Sequence, residues 1–135
     1  NYSSQKGHHL SNNNKVCLLI FDPYNERQIQ ILGTATRLSH DASTRYFKSR
    51  PRDSQLGAWA SNQSTVISDR QSLIDAFDHY QEKFSDSDIE RPEDWGGYVI
   101  TPHHFEFWQG RKNRLHDRIR FVLENNSWQI SRLAP

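Results

Sequence analysis

The chain has no methionine and only one cysteine in 135 residues, and its charges nearly cancel, 17 Lys and Arg against 16 Asp and Glu. One cysteine excludes an internal disulfide. The apolar run Val16-Cys17-Leu18-Leu19-Ile20-Phe21 around it predicts a small buried hydrophobe and a reducing, cytoplasmic setting. The lack of methionine, with Asn1 in first place, predicts a chain that begins inside a longer gene product. A net charge of +1 gives no global field, so generic nucleic-acid or membrane-surface binding is not implied and any cationic site must be local. No apolar run is long enough to span a bilayer, and no charged-then-apolar leader opens the chain. There is no internal repeat, no glycine-rich phosphate loop, no G-x-S-x-G and no Cys-His pair with a helper, so NTPase and nucleophilic hydrolase chemistry lack their parts. His103-His104 is no metal pair either: neighbours on a strand face opposite ways, and no Cys or carboxylate cluster completes a set.

The length suits one domain, residues 1–135, with a real core. Ser3 or Ser4 can cap a short helix through Lys6, His9 and Leu10. Val16 to Phe21 reads as a core strand covered on both faces, and Asp22-Pro23-Tyr24-Asn25 as a turn. In Arg27 to Leu32, Ile29 and Ile31 face one side and Gln28 and Gln30 the other, with Gly33 marking a bulge. Ser39 caps a helix from Asp41 to Lys48, Pro51 ends it by extending Arg50, and Asp53 caps a second helix from Ser54 to Ala60. Ser68 and Gln71 form a capping box ahead of an amphipathic helix with Leu73, Ile74, Phe77, Tyr80 and Phe84 on its apolar face. Ser85 to Asp94 reads as a polar surface loop. Strands follow at Tyr98-Val99-Ile100 and at Phe105 to Trp108. A hairpin carries Ile119, Phe121 and Leu123, turns at Asn125-Asn126, and returns through Trp128 and Ile130.

Two stretches point to chemistry. At the helix-Pro-helix corner, Tyr46, Arg50 and Ser54 recur every four residues as phenol, guanidinium and hydroxyl, the last near a helix N-terminus that favours anions. In Phe107 to Arg118, an apolar strand runs into clustered cations with a tryptophan and a histidine. Arginine can grip phosphate or carboxylate, histidine can change protonation near neutral pH, and tryptophan offers a face to a ring. The pattern is that of an anion-and-ring pocket.

Ser49-Arg50-Pro51-Arg52-Asp53-Ser54-Gln55-Leu56-Gly57-Ala58-Trp59, Trp95-Gly96-Gly97, Glu106-Phe107-Trp108-Gln109-Gly110, Arg114-Leu115-His116-Asp117-Arg118 and Arg132-Leu133-Ala134-Pro135 together resemble the pyridoxamine 5'-phosphate oxidase family. The resemblance implies a mainly β fold with helices: an FMN-binding split β-barrel lacking its first strands, with a C-terminal dimerisation and substrate region. It implies a homodimer with FMN between subunits. It also implies oxidation of pyridoxamine or pyridoxine 5'-phosphate to pyridoxal 5'-phosphate, with O2 as acceptor and H2O2 released. Tyr46, Arg50 and Ser54 would hold the substrate phosphate, Arg114, Leu115 and His116 would lie over the substrate with Arg114 and His116 catalytic, and Gln5, Lys6, Gln28, Gln63, Ser64, Trp108 and Arg118 would contact FMN. Arg111 and Lys112 are left as solvated charges. Gln5 stands where the family commonly has arginine, a loss of about 1 kcal/mol, roughly fivefold, in FMN binding. The family's preceding strands, with their own share of both sites, are not in this sequence. A non-catalytic flavin- or pyridoxal-phosphate-binding remnant and a flavin oxidase of phenazine biosynthesis are the alternative readings.

Overall fold

A computed structural model describes residues 1–135. In chain order it contains α1 (Gln5–Asn12), β1 (Lys15–Asp22), β2 (Arg27–Arg37), α2 (His40–Ser49), α3 (Arg52–Ala60), α4 (Gln71–Lys83), β3 (Tyr98–Gln109), a short 3-10 turn (Lys112–Arg114), β4 (Asp117–Glu124) and β5 (Ser127–Arg132). The chain divides into two compact units, residues 1–13 with 37–99, and residues 14–36 with 100–135.

The first unit is helical. Ser4 Oγ accepts from Gly7 N–H at 3.2 Å and Ser39 Oγ from Ala42 N–H at 3.2 Å, so both expected serine caps form. Arg50 is extended (φ −77°, ψ 151°), as the following Pro51 requires. Two other caps differ from expectation. Pro51 itself occupies the cap position of α3, and Asp53 lies inside the first turn, where its charge favours the helix dipole without capping a backbone N–H. At α4 the Ser68–Gln71 box does not form. Asp69, whose carboxylate is the stronger acceptor, takes Ser72 N–H at 2.9 Å, Ser68 bonds the Ser72 hydroxyl, and Gln71 reaches forward to Asp75. Phe47, Leu56, Phe84 and Ile89 form the core, with Trp59, Phe77, Tyr80 and Trp95 packed around them. The polar loop after α4 is therefore anchored. Ile89 is buried, Trp59 Nε1 donates to Glu90 O at 2.8 Å, and the Arg52 guanidinium donates to the carbonyls of Phe84 and Ser87.

The second unit carries a five-stranded sheet in the order β1-β2-β3-β4-β5. Phe105 pairs with Phe121, Phe107 with Ile119, Phe121 with Ile130 and Leu123 with Trp128, so these apolar residues share one face. Glu106, Trp108, Arg118 and Arg120 occupy the other. Asn125 and Asn126, both left-handed (φ 48° and 60°), make the two-residue turn that suits the twist of the last hairpin.

Three expectations fail here. Leu18, Leu19, Ile20 and Phe21 are 39% to 59% exposed, because β1 is the edge of the sheet and neither face is covered. Cys17 on that strand is exposed. Gly33 makes no bulge: the ladder runs unbroken through Val16↔Gly33, and a Cβ at Gly33 would stand 2.7 Å from both Ile100 Cγ2 and Thr101 O. Its glycine serves close approach between strands. No helix is long and apolar enough to cross a membrane.

Candidate functional site

The helical corner carries the three residues expected to hold an anion, Tyr46, Arg50 and Ser54. The α2 helix ends at Ser49, Arg50 caps it and α3 begins at Arg52, and Gln55 Nε2 locks the corner by donating to Arg50 O at 2.8 Å. Arg50 Cζ lies 5.0 Å from the Trp95 ring centroid, and Tyr46 stacks on that indole at 6.1 Å. Trp95 in turn sits edge-on to the fully buried Phe47 at 5.1 Å. One ring therefore fixes both the guanidinium and the phenol. Arg50 Nη1 is buried and has no hydrogen-bond partner. Other atoms of Arg50, with Ser54, Gly57, Gln63 and Trp95, line a cavity of about 310 Å³. The sequence pattern identified Tyr46, Arg50 and Ser54 but missed Trp95 and Gln55 as their supports. An indole four residues past Arg91 carries no periodic signal.

The same unit holds the other expected phosphate donors. Gln5 and Lys6 occupy the exposed first turn of α1, where Ser4 already satisfies Gly7 N–H. Ser64 follows the cavity-lining Gln63 in a turn and is left-handed, φ 72°.

In the second unit, Trp108 and Arg118 are directly opposite on β3 and β4. Arg118 is engaged. It donates to Glu106 through Nε at 2.7 Å and Nη2 at 3.0 Å, and through Nη1 to Ala134 O at 3.0 Å. Three of its five N–H groups are used and two stay free for a ligand. The paired guanidinium, by hydrogen bonds first and by its charge second, holds the Glu106 carboxyl below the usual glutamate range. Glu106, which the sequence left without a role, is the counter-charge of this face. Gln28 pairs with Phe21 at the β1–β2 turn and is half-buried.

Between β3 and β4 the start of the cationic loop is held against the β1–β2 turn. Gly110 N–H donates to Glu26 O at 2.7 Å, and Gln109 Oε1 accepts from Arg27 Nε at 2.8 Å. Asn113 and Arg114 are both left-handed, φ 59° and 61°. For asparagine this is mild, but for arginine it stores about 1–3 kcal/mol. Arg114 and Leu115 are exposed, and the His116 ring lies 4.8 Å from that of Trp108. Arg111 is not the free charge expected: its Nε meets Asp117 Oδ2 at 2.8 Å and its backbone N–H donates to His116 Nδ1 at 3.1 Å. Loop strain and an adjacent carboxylate, neither visible in composition, decide its role.

Comparison with known proteins gives a consistent picture. Residues 1–84 match the family described as Pyridoxamine 5'-phosphate oxidase, and residues 95–135 match the Pyridoxine 5'-phosphate oxidase C-terminal dimerisation region. The pyridoxine/pyridoxamine 5'-phosphate oxidase of Rippkaea orientalis is 52% identical over 136 residues, covering 100% of this chain and 64% of that protein. A protein of the same name from Leptospira biflexa is 49% identical over 135 residues, with coverage of 100% and 64%. The chain thus spans less than two thirds of the length of these curated relatives. Among solved structures, PhzG from Burkholderia lata 383, in complex with tetrahydrophenazine-1-carboxylic acid, superposes with a TM-score of 0.89 at 28% identity over 98% of this chain and 65% of that one. A pyridoxamine 5'-phosphate oxidase-related, FMN-binding protein from Nostoc punctiforme superposes at 0.71 with 13% identity over 98% and 69%, a likeness of fold alone. Both superpositions bear out the expected split-barrel fold class.

Proposed function

Since the chain belongs to the pyridoxamine 5'-phosphate oxidase family, we propose that it forms part of an enzyme oxidising pyridoxamine or pyridoxine 5'-phosphate to pyridoxal 5'-phosphate, with O2 as acceptor and H2O2 released. The observation that carries this reading is Arg50, held against the Trp95 ring and lining with Ser54 a cavity of about 310 Å³. A substrate phosphate there accepts from the Arg50 guanidinium, with Tyr46 and Ser54 as further donors.

The cofactor is FMN, and the chemistry of the donor set fits it. Gln5, Lys6, Gln63 and Ser64 suit its phosphate and ribityl chain; Gln28, Trp108 and the two free N–H groups of Arg118 suit the ring. When bound, FMN supplies the two-electron acceptor. The protein's own contribution is positioning. Arg50 and its partners hold the phosphate end, while Arg114 and His116 orient the pyridine ring and hydrogen-bond its polar groups at the carbon that gives up hydride. Arg118 carries its charge beside Glu106, so the ring-side donors bring little net positive charge. A homodimer is part of the proposal. The match of residues 95–135 to a dimerisation region supports it, as do Phe107, Trp128 and Ile130, which are 40% to 64% exposed on the apolar sheet face.

A flavin oxidase of the phenazine type is the second reading, favoured by the superposition on PhzG. Substitution Arg50→Gln in the full-length flavoprotein separates the two. Loss of a charge-assisted bond of about 1.5–3 kcal/mol raises KM for pyridoxamine 5'-phosphate roughly ten- to a hundredfold. Unphosphorylated pyridoxamine, which never met Arg50, keeps its own KM. Equal effects on both substrates, or none, would remove the phosphate role and leave the phenazine reading ahead.

A further inference from the structure

We propose that Asp117 is a positioning residue for the loop that carries Arg114 and His116, an inference that rests on the oxidase reading above. Asp117 Oδ2 receives Arg111 Nε at 2.8 Å, and Oδ1 receives Arg132 Nη1 at 2.5 Å. One carboxylate thereby ties the start of the loop to the last strand. The Asp117 side chain lies on the phenylalanine face of the sheet, since it alternates with Arg118 along β4, whereas Arg118 shares the opposite face with Trp108. It therefore touches nothing on the ring face directly and acts through the backbone. Arg111, gripped by Asp117, donates its own backbone N–H to His116 Nδ1 at 3.1 Å. With Nδ1 occupied as an acceptor, the proton of the neutral imidazole is placed on Nε2, which becomes the ring's donor.

The loop needs such a hold. Asn113 and Arg114 sit consecutively in the left-handed region, a conformation that persists only where surroundings over-determine it. The tail adds a second constraint, because Leu133 N–H donates to Arg118 O at 2.9 Å and places Arg132 within reach of Asp117. Hydrogen bonds from Arg111 and then Arg132 keep the Asp117 carboxyl below the usual aspartate range, so it is ionised wherever the enzyme works.

The test is Asp117→Asn in the full-length, FMN-loaded protein, followed by long-range proton–nitrogen NMR of the histidine rings, with His116 assigned from a His116→Gln spectrum. The wild type shows His116 as the single Nε2–H tautomer. The variant shows a mixture of both tautomers, retains FMN with an unchanged dissociation constant, and loses kcat/KM by roughly ten- to a hundredfold. Asp117→Glu, which keeps the charge, recovers most of the loss. If Asp117→Asn fails to fold, Arg111→Ala breaks only the loop arm and must give the same tautomer change. His116 remaining a pure Nε2–H tautomer in whichever variant folds, with kcat/KM within twofold of wild type, overturns the proposal. The tautomer readout needs no substrate, so a failure of the vitamin B6 reading leaves it standing and a failure of the clamp leaves the oxidase reading intact.

Discussion

Gly57 offers a test in which stability and function should move in opposite directions. It lies inside α3, has no positive φ, and a Cβ built there meets nothing within 4 Å. Glycine in a helix interior is about 0.8–1.0 kcal/mol less favourable than alanine, because the unfolded chain has more backbone freedom to lose. Gly57→Ala should therefore stabilise the protein by roughly that amount, raising Tm by about 3–5 °C for a chain of this size. The space the methyl enters is not idle, however. Gly57 lines the same cavity as Arg50 and Ser54. If that cavity receives the substrate phosphate, the methyl crowds it, and a mild overpacking cost of about 1 kcal/mol raises KM for pyridoxamine 5'-phosphate about fivefold. Gly33→Ala is the matched control: its Cβ would lie 2.7 Å from Ile100 Cγ2 and Thr101 O, so the same chemical change should destabilise by about 1–3 kcal/mol. Thermal melts and urea titrations of the three proteins give Tm and the stabilities, and steady-state kinetics of the full-length enzyme gives KM. A lower Tm for Gly57→Ala would show that the space is not open. A higher Tm with unchanged KM would refute the cavity as the phosphate seat.

Two further outcomes follow from the sheet. The Glu106 carboxyl is depressed by its bonds to Arg118, so its stabilising contribution is complete above the ordinary glutamate value near 4.5 and is lost as pH falls through the lower folded value. Glu106→Gln should thus flatten the acid limb of a stability-against-pH curve measured by urea unfolding; parallel wild-type and variant curves would show the pair to be energetically silent. Arg114→Ala and His116→Ala should lower kcat/KM far more than they weaken FMN retention if both act on the substrate, as proposed. Flavin fluorescence titration beside turnover measures the two, and equal losses would place these residues on the cofactor instead.

Local chemistry was readable wherever a residue acts on its own neighbourhood. Ser4, Ser39, Pro51 and Asn125-Asn126 each impose a backbone geometry within four residues, and each does so in the structure. Tyr46, Arg50 and Ser54 stood out for the same reason, being spaced along adjoining helices. What the sequence did not show was neighbourhood across the chain. The run Val16 to Phe21 has the composition of a strand buried on both faces, yet its position at the sheet edge leaves it exposed, and no local pattern encodes a strand's place in the order. Gly33 has the local pattern of a bulge within its own strand, but the constraint on it comes from Ile100 and Thr101. Asp69 displaced the expected Ser68 cap because two adjacent acceptors competed and the charged one prevailed.

The electrostatics of the ring face depend on register more than on any residue's identity. Phe105↔Phe121 and Phe107↔Ile119 place four apolar side chains on one face, and this fixes the pairing of β3 with β4. Given that pairing, Glu106 falls diagonal to Arg118 beside Trp108, and Asp117 is sent to the opposite face to meet Arg111 and Arg132. A slip of one residue would exchange the faces of one strand, separating Glu106 from Arg118 and turning phenylalanines towards polar partners. The apolar face thus selects which carboxylate pairs with Arg118 and which one meets Arg111 and Arg132. The two carboxylates occupy positions 106 and 117 of a strand pair whose turn holds two left-handed residues, so the loop length between Gln109 and Asp117 is part of the same constraint. Shortening that loop would force a new register before it removed any side chain of the site.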